Sequence, residues 1–562
     1  MQVLNQQNKS SRYFNLIAAI FLIAVFLLAL RPIADYDTGY HLKTGEYIVT
    51  HKTVPLYDIF SYTALGARWI AHYWLADVIF YLVYVVGGLW GLIIFVAAIA
   101  VLAYSILFKT ARANGSRSEI IAISLGLFTI FMVRIWSLWV VRPQIFGFFI
   151  GAILLYFLEK WRLSRNRKWL YLTIPTLLIW ANIHASVVLG IVLVILYVGL
   201  FALRNIKRPK LWVTEATIAI LAALSTLINP NGYKILIYNF IISPIVNFIG
   251  IFEWRSLIVY LGPGGSYKAW LVFGFICFSF GLIGWRLIKL GKASLGNVTW
   301  EWVFLTLAAL LLPILSVRHV GFFPILIFPI FVWCLEGLFP KLSEFFNRKS
   351  GIYVIGALGL VLVVSGVFNV PSLPLDRSQL PEGASQFILE HKLQEPLYNT
   401  ISHGSYLIWK LWPEYKVFVD GRSEVYSIDF WKDYKTIAEY GNGWQELFNK
   451  YNFNTVILTG TVPEPGKTLI GADLILAYNL SQKSDFVLVY WDDASLVLVR
   501  NIPANQEVIK KYGYKFIGPY IAPQYILVKD AEKAAQEIDR ALQTSPDSKI
   551  IRIYAGTFIA TH

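Results

Sequence analysis

Two aspartates that could carry chemistry, Asp35 and Asp37, stand at i and i+2 just after the first long apolar run of the sequence. One carboxylate in this position can act as a general base and take a proton from an attacking hydroxyl. Two together can hold Mg²⁺ or Mn²⁺ against a phosphate, because these hard cations prefer oxygen ligands. The same spacing is also compatible with an ordinary polar segment beside a membrane.

Other polar residues that suit a phosphate or a sugar stand at intervals along the chain. Arg142 and Arg318 match a phosphate, because a guanidinium group can donate two parallel hydrogen bonds to it. Histidines can donate to phosphate or sugar oxygens, or relay protons. Two alternatives stay open: the arginines can reach lipid headgroups, and Asn182 with His184 can cap and pack a helix. The candidate substrate-binding residues are Tyr40, His41, His72, Arg142, Gln144, Asn182, His184, Arg318, His319 and Arg422.

The composition indicates what kind of protein must position these residues. Of the 562 residues, 57% are hydrophobic and only 15% are charged, so one aqueous core cannot bury the apolar surface and lipid must solvate much of it. The net charge of +15 sits in short clusters between apolar runs, which is typical of membrane proteins and argues against nucleic acid as a partner. Cys277 and Cys334 lie in apolar runs, which leaves no disulfide framework or CxxC site.

Apolar runs predict about eleven membrane spans, since a helix needs about 17–25 residues to cross the hydrocarbon core. The fifth run is short for a span. The predicted spans are Phe14–Leu30, Trp90–Phe108, Glu119–Trp136, Pro143–Glu159, Trp169–Ala181, His184–Leu203, Leu211–Asn229, Ala269–Lys289, Thr299–Ser316, Val320–Phe339 and Gly351–Val370.

The Lys and Arg clusters predict the orientation of these spans. With the N-terminus in the cytoplasm, all the basic connections fall on the cytoplasmic side, as the positive-inside rule requires, provided that the fifth run crosses. The candidate site residues and the segment after Val370 then lie outside the cytoplasm. The basic clusters span residues 109–117, 160–168, 204–210, 286–292 and 341–349.

The last third of the chain changes character. Helix-like stretches alternate there with strand-like runs at Lys416–Val419, Thr455–Leu458, Phe486–Tyr490 and Ser495–Val499, which predicts a small α/β domain. Asp420 and Arg422 follow the first run, either as acceptor-binding residues or as a structural ion pair. Residues 531–562 are similar to one tetratricopeptide helix pair. The predicted domains are 1–370, with a first exterior loop at 31–89, then 371–530 and 531–562.

Several of these stretches together resemble the C-type superfamily of integral-membrane glycosyltransferases, in particular its bacterial branch. They comprise Asp35-Tyr36-Asp37, Tyr40-His41-Leu42-Lys43-Thr44-Gly45-Glu46, Pro55-Leu56-Tyr57-Asp58, His72-Tyr73-Trp74-Leu75, Trp180-Ala181-Asn182-Ile183-His184, Asn229-Pro230-Asn231-Gly232-Tyr233, Arg318-His319 and Asp420-Gly421-Arg422. Relatives place an Asp-Glu pair and a His-Pro-Pro stretch in the first exterior loop, where this chain has Asp37-Thr38 and His72-Tyr73-Trp74.

The resemblance implies a multi-pass protein of the bacterial inner membrane. It implies transfer of a sugar, with inversion, from a polyprenyl-phosphate-linked donor to a glycan, lipid or protein acceptor at the non-cytoplasmic face. The catalytic carboxylate of the superfamily maps onto Asp37 or Asp35, and Arg142 and Arg318 would neutralise the leaving phosphate. Membrane lipid is a further partner, and Mg²⁺ or Mn²⁺ is the expected cofactor if one is used.

Two other classes of function remain open from the sequence. A transporter or flippase for a lipid-linked glycan would need charges deep in several spans or broken helices in paired halves, whereas here the polar residues stand mostly at span ends. A non-catalytic scaffold with a receptor-like exterior domain would not need clustered acids, arginines and histidines. The residue types therefore favour the enzyme.

Overall fold

A computed structural model describes residues 2–136, 139–262, 266–294, 299–346, 349–460, 472–483, 485–521 and 526–561. The α-helices are, in chain order, α1 (Gln2–Ala29), α2 (Thr38–His51), α3 (Trp74–Ala113), α4 (Ser118–Phe128), α5 (Gln144–Ser164), α6 (Lys168–Tyr171), α7 (Thr173–Ile183), α8 (Val187–Arg204), α9 (Val213–Ser225), α10 (Lys234–Ile249), α11 (Tyr267–Ser294), α12 (Trp300–Leu315), α13 (Phe323–Leu338), α14 (Pro340–Phe346), α15 (Lys349–Val367), α16 (Glu382–Glu390), α17 (Ile401–Leu411), α18 (Ile428–Ala438), α19 (Trp444–Tyr451), α20 (Ala472–Lys483), α21 (Gln506–Tyr512), α22 (Ala531–Thr544) and α23 (Lys549–Thr561). The strands are β1 (Leu397–Asn399), β2 (Thr455–Thr459), β3 (Phe486–Trp491) and β4 (Ser495–Arg500).

The chain divides into two compact units. The membrane unit comprises Met1–Pro32 and His72–Pro374, and the C-terminal unit comprises Ile33–Ala71 and Leu375–His562. The loop predicted at 31–89 is therefore split between them, and most of it, with Asp35 and Asp37, belongs to the C-terminal unit.

The membrane unit is built from apolar helices. Seven helices among the described residues are long and apolar enough to cross a membrane, namely Trp74–Ala113, Ser118–Ile135, Gln144–Ser164, Val187–Arg204, Tyr267–Lys289, Val317–Leu338 and Ser350–Val367. Four shorter apolar helices accompany them, Asn15–Ala29, Val213–Ser225, Lys234–Ile249 and Trp300–Leu315. The third of these, α10, was not among the predicted spans. The number of spans and their orientation stay predictions.

Some of the polar candidate residues lie where the apolar helices end. The fifth predicted span forms two short helices, α6 and α7, and α7 ends where His184 adopts an extended backbone (φ −161°, ψ 138°). The helix α12 ends in the same way at Ser316 (φ −160°, ψ 136°), followed by a short 3-10 turn, Val317–Phe322, that carries Arg318. At these two points the α-helical backbone ends, so polar side chains there do not follow a helix face.

The C-terminal unit contains a four-stranded sheet in the order β1-β2-β4-β3. The strand β1 runs parallel to β2, and the other two pairings are antiparallel. Three of the four predicted strands are present. The fourth prediction, Lys416–Val419, is wrong, since that segment makes only a single bridge, from Val417 to Ser61, and the remaining strand is the three-residue β1.

The two helices predicted near the C-terminus are present as α22 and α23, and both are anchored to the C-terminal unit. The Asp493 carboxylate accepts hydrogen bonds from the backbone N–H groups of Lys549 and Ile550 at the start of α23. Glu537 in α22 accepts from the backbone of residues 515–517. Buried carboxylates thus satisfy backbone donors at the start of α23 and in residues 515–517.

Candidate active site

A cavity in the membrane unit gathers five of the residues predicted from the sequence. Its lining includes His72, Gln144, His184, Arg318 and His319. Residues without a predicted role complete it, chiefly Tyr73, Ser186, Tyr238 and Trp254. The helices α3, α5 and α8 begin beside these lining residues, and helix N-termini favour negative charge.

Arg318 is held in this cavity by neutral groups. Its Nη2 donates to the Tyr73 hydroxyl at 3.1 Å. The Gln144 amide, with its oxygen towards Arg318, accepts from Nη2 at 2.9 Å and Nε at 3.2 Å, and the guanidinium lies 5.3 Å from the centre of the Trp254 ring. Among the described residues, no carboxylate oxygen lies within 4.0 Å of the Arg318 guanidinium, and the charge of Glu253 acts on it from a greater distance. The direct contacts of Arg318 are therefore with neutral groups, which orient the cation.

Arg142, the other predicted phosphate ligand, has a carboxylate partner. Its Nη1 contacts both oxygens of Glu253, at 2.6 and 2.7 Å. The charge of Arg142, with help from Arg318 and against the effect of burial, holds the pKa of Glu253 below its usual value. Glu253 stands 111 residues away in the sequence, so no local spacing could reveal this pair.

The histidines of the cavity are fixed by rings and backbone. His72 lies between the rings of Tyr73 and Tyr238, with centroids 3.6 and 3.8 Å away. The backbone N–H of Ser186 donates to His184 Nδ1 at 2.9 Å. Because a backbone N–H can only donate, Nδ1 must be the acceptor, and Nε2 carries the proton of a neutral His184. This tautomer makes Nε2 a hydrogen-bond donor.

Asn182 is not part of the cavity lining. Its Oδ1 accepts from the indole of Trp74 at 3.1 Å, and its Nδ2 donates to the carbonyls of Leu178 and Ile228 at 2.9 and 2.8 Å. These three hydrogen bonds join α3, α7 and the turn after α9, so the structure gives Asn182 a bridging role.

The predicted acidic pair lies in the C-terminal unit, at the start of α2. Asp37 directly precedes α2, and its Oδ1 accepts a hydrogen bond from the Ser405 hydroxyl at 2.9 Å. The backbone N–H of Asp37 donates to Asp35 Oδ1 at 3.0 Å. Tyr40 and His41 are buried in the first turn of the same helix. Their role in substrate binding stays a prediction.

Arg422 is a buried residue of the C-terminal unit. It is 2% exposed, pairs with Asp58 at 2.7 Å and Asp420 at 2.6 Å, and lies over the rings of Phe60 and Trp69. Burial alone would raise the pKa of Asp420, but the charge and hydrogen bonds of Arg422 hold it below its usual value. Of the two interpretations of Asp420 and Arg422, the contacts are those of a structural ion pair.

A metal site needs several donor side chains close together. Within the described ranges, no group of three or more His, Cys, Asp or Glu side chains is arranged to hold a metal ion. Asp35 and Asp37 remain a two-carboxylate set, which fits the way Mg²⁺ is often bound, by one or two carboxylates together with substrate phosphates.

The described architecture combines apolar helices, seven of them long and apolar enough to cross a membrane, with a mixed α/β unit, and this fold is similar to that of a solved oligosaccharyltransferase. That structure, one of those that the chain resembles, is the apo form of the Archaeoglobus fulgidus oligosaccharyltransferase, with a TM-score of 0.52 and 11% sequence identity. The match covers 87% of this chain and 74% of that one. No family model matches the sequence, and no curated protein does.

Proposed function

We propose that this protein is a membrane glycosyltransferase that moves a sugar from a lipid-linked phosphate donor to an acceptor hydroxyl. The observation that carries the proposal is the cavity around Arg318, where a cation that no carboxylate of the described residues contacts directly stands beside His72, His184 and the start of α5. Guanidinium and imidazole donors of this kind suit a phosphate, in the ground state and as it leaves. The similarity to an oligosaccharyltransferase supports the fold that this chemistry would use.

The charges of the cavity favour a donor with a single phosphate. Two guanidinium groups, Arg142 and Arg318, act on the single Glu253 carboxylate, so one positive charge of this group is not offset by Glu253. A sugar joined to a lipid through one phosphate carries one negative charge, whereas a diphosphate carries two. The proposed donor class is therefore a polyprenyl monophosphate sugar.

The proposed reaction is a displacement with inversion at the anomeric carbon. The acceptor oxygen forms a bond to that carbon while the bond to the phosphate oxygen breaks, and the lipid phosphate leaves with the electron pair. Asp37 would take the acceptor proton, with Asp35 as its neighbour in support. This assignment rests on the chemistry of the residues and on the resemblance. Mg²⁺ or Mn²⁺, if used, would add positive charge at the phosphate.

A transfer assay tests the proposal. Purified protein in lipid nanodiscs is given labelled polyprenyl monophosphate and diphosphate sugars, with membrane extract as the acceptor source. We expect release of the lipid phosphate and a labelled product from a monophosphate donor, and a loss of about 10²-fold or more in Arg318→Gln. Arg134→Gln, at an exposed arginine of the same unit, is the matched control. Absence of transfer from every donor contradicts the proposal.

A further inference from the structure

Ser405 is a buried side chain that the sequence did not single out. It lies in α17 with no exposed surface, and its hydroxyl is the group that contacts the predicted base Asp37. We infer that Ser405 is a positioning residue, which fixes the orientation of the Asp37 carboxylate. The catalytic part of this inference rests on the proposed function.

The hydrogen-bond direction at Ser405 is determined by its neighbours. The backbone N–H of Gly421 donates to Ser405 Oγ at 3.1 Å, and Ser405 Oγ lies 2.9 Å from Asp37 Oδ1. A backbone N–H can only donate, so the hydroxyl oxygen accepts there and its single proton is directed to the carboxylate. Ser405 therefore cannot rotate away without losing two hydrogen bonds.

Two glycines allow the close approach that this arrangement needs. A Cβ atom at Gly421 would lie 2.3 Å from Asp37 Oδ1 and 3.0 Å from Ser405 Oγ. A Cβ atom at Gly39 would lie 2.4 Å from the backbone oxygen of Ser405. Any side chain at either position would push α2 or the Gly421 backbone away from Ser405.

The buried ion pairs hold Gly421 in place from the other side. Gly421 lies between Asp420 and Arg422, and Arg422 pairs with both Asp420 and Asp58. The Tyr426 hydroxyl donates to Asp420 at 2.6 Å. The segment 420–422 is thus fixed at its ends, and the Gly421 N–H holds Ser405 towards Asp37. The segment Asp420-Gly421-Arg422 therefore supports Asp37 through Ser405.

A positioning role predicts a specific kinetic signature. Misplacing a catalytic group by about 1 Å can cost 10²-fold in rate, so we expect Ser405→Ala to lower kcat by about 10- to 100-fold and to change KM by less than about twofold. Ser405→Thr keeps the hydroxyl and should retain most of kcat. Ser385→Ala is the matched control, because Ser385 is a buried serine of the same unit whose hydroxyl donates to the backbone oxygen of Glu382 in its own helix.

A second measurement on the full-length protein needs no substrate. We expect Ser405→Ala and Gly421→Ala to speed hydrogen–deuterium exchange at the amides of residues 37–41 by about tenfold or more, with no such change in Ser385→Ala. Unchanged exchange in both variants overturns the inference, as does a wild-type kcat in Ser405→Ala. If the wild-type protein transfers no sugar but exchange responds as expected, the proposed function fails while Ser405 still positions Asp37.

Discussion

Arg318 in the membrane unit and Arg422 in the C-terminal unit are the same residue type in opposite settings. Arg318 is oriented by a tyrosine hydroxyl and a glutamine amide, and it borders a cavity. Arg422 is 2% exposed and is paired with Asp58 and Asp420. The comparison indicates that the groups that contact an arginine, more than its residue type or motif, distinguish a binding role from a structural one. We expect Arg318 to contribute to function and Arg422 to stability.

The two regions are also built by different means. The Arg318 cavity forms where membrane helices stop, at His184 and Ser316, and Ser316 Oγ donates to the backbone oxygen of Glu253 at 2.9 Å. The region around Asp37 forms by close backbone packing, with glycines at 39 and 421 and a buried ion-pair cluster. The first arrangement leaves room for a ligand, and the second fixes one carboxylate.

The largest expected effect lies in the second region, at Asp37. Asp37→Asn keeps the shape and can still accept from Ser405, but it removes the charge that would take a proton. We expect turnover to fall by about 10²–10⁴-fold while expression and donor binding stay near normal, because loss of a general base usually costs that much. Asp35→Asn should cost less if Asp35 only supports its neighbour. Turnover is measured in nanodiscs. A near-normal rate in Asp37→Asn would refute the assignment of Asp37 as the general base.

Stability should separate the two arginines. Arg422→Met leaves Asp58 and Asp420 buried without a counter-charge, and breaking a buried pair this way costs about 3–5 kcal/mol. Pulse proteolysis of the full-length protein in urea measures this for the C-terminal unit. Arg318→Gln is the comparison and should change the stability of its own unit by less than about 1 kcal/mol. Adding Asp58→Asn and Asp420→Asn to Arg422→Met should recover part of the loss. Equal stability of Arg422→Met and wild type would show that Arg422 has no structural role.

A smaller effect is expected from pH. The pKa of Asp420 is lowered in the folded protein, so its contribution to stability is fully present above the unfolded value of about 3.9 and is lost as pH falls through the folded-state pKa. The difference in unfolding free energy between wild type and Asp420→Asn should be constant from pH 6 to 8 and shrink below about pH 4. A difference that grows on acidification contradicts the ion-pair account of the cluster.

The sequence predicts most of the helices of the membrane unit, but it does not predict which residues contact the candidate site residues. Apolar runs locate most of the helices because lipid imposes a length and a composition on them. Polar residues at the ends of these runs then include Gln144, His184 and Arg318, which line one cavity. Glu253 and Ser405 escape prediction as partners, because their roles arise from tertiary contacts across 111 and 368 residues.

The C-terminal unit shows the same limit. Lys416–Val419 has the apolar content of a strand, yet its backbone makes a single bridge, while the three-residue β1 is too short to give a pattern. The grouping of Ile33–Ala71 with the C-terminal unit also has no local signal. It depends on the packing of α2 against α17 and on the Asp58–Arg422 pair.

The central claim is that the Arg318 cavity binds a lipid phosphate, and binding of polyprenyl monophosphate without a sugar tests it most directly. Its Kd is measured in nanodiscs for the wild type, Arg318→Gln and the exposed control Arg134→Gln. Loss of a charged hydrogen-bonding partner should weaken binding about 10- to 100-fold in Arg318→Gln and leave Arg134→Gln unchanged. Equal affinity in Arg318→Gln and wild type, or no binding by the wild-type protein, would contradict the claim.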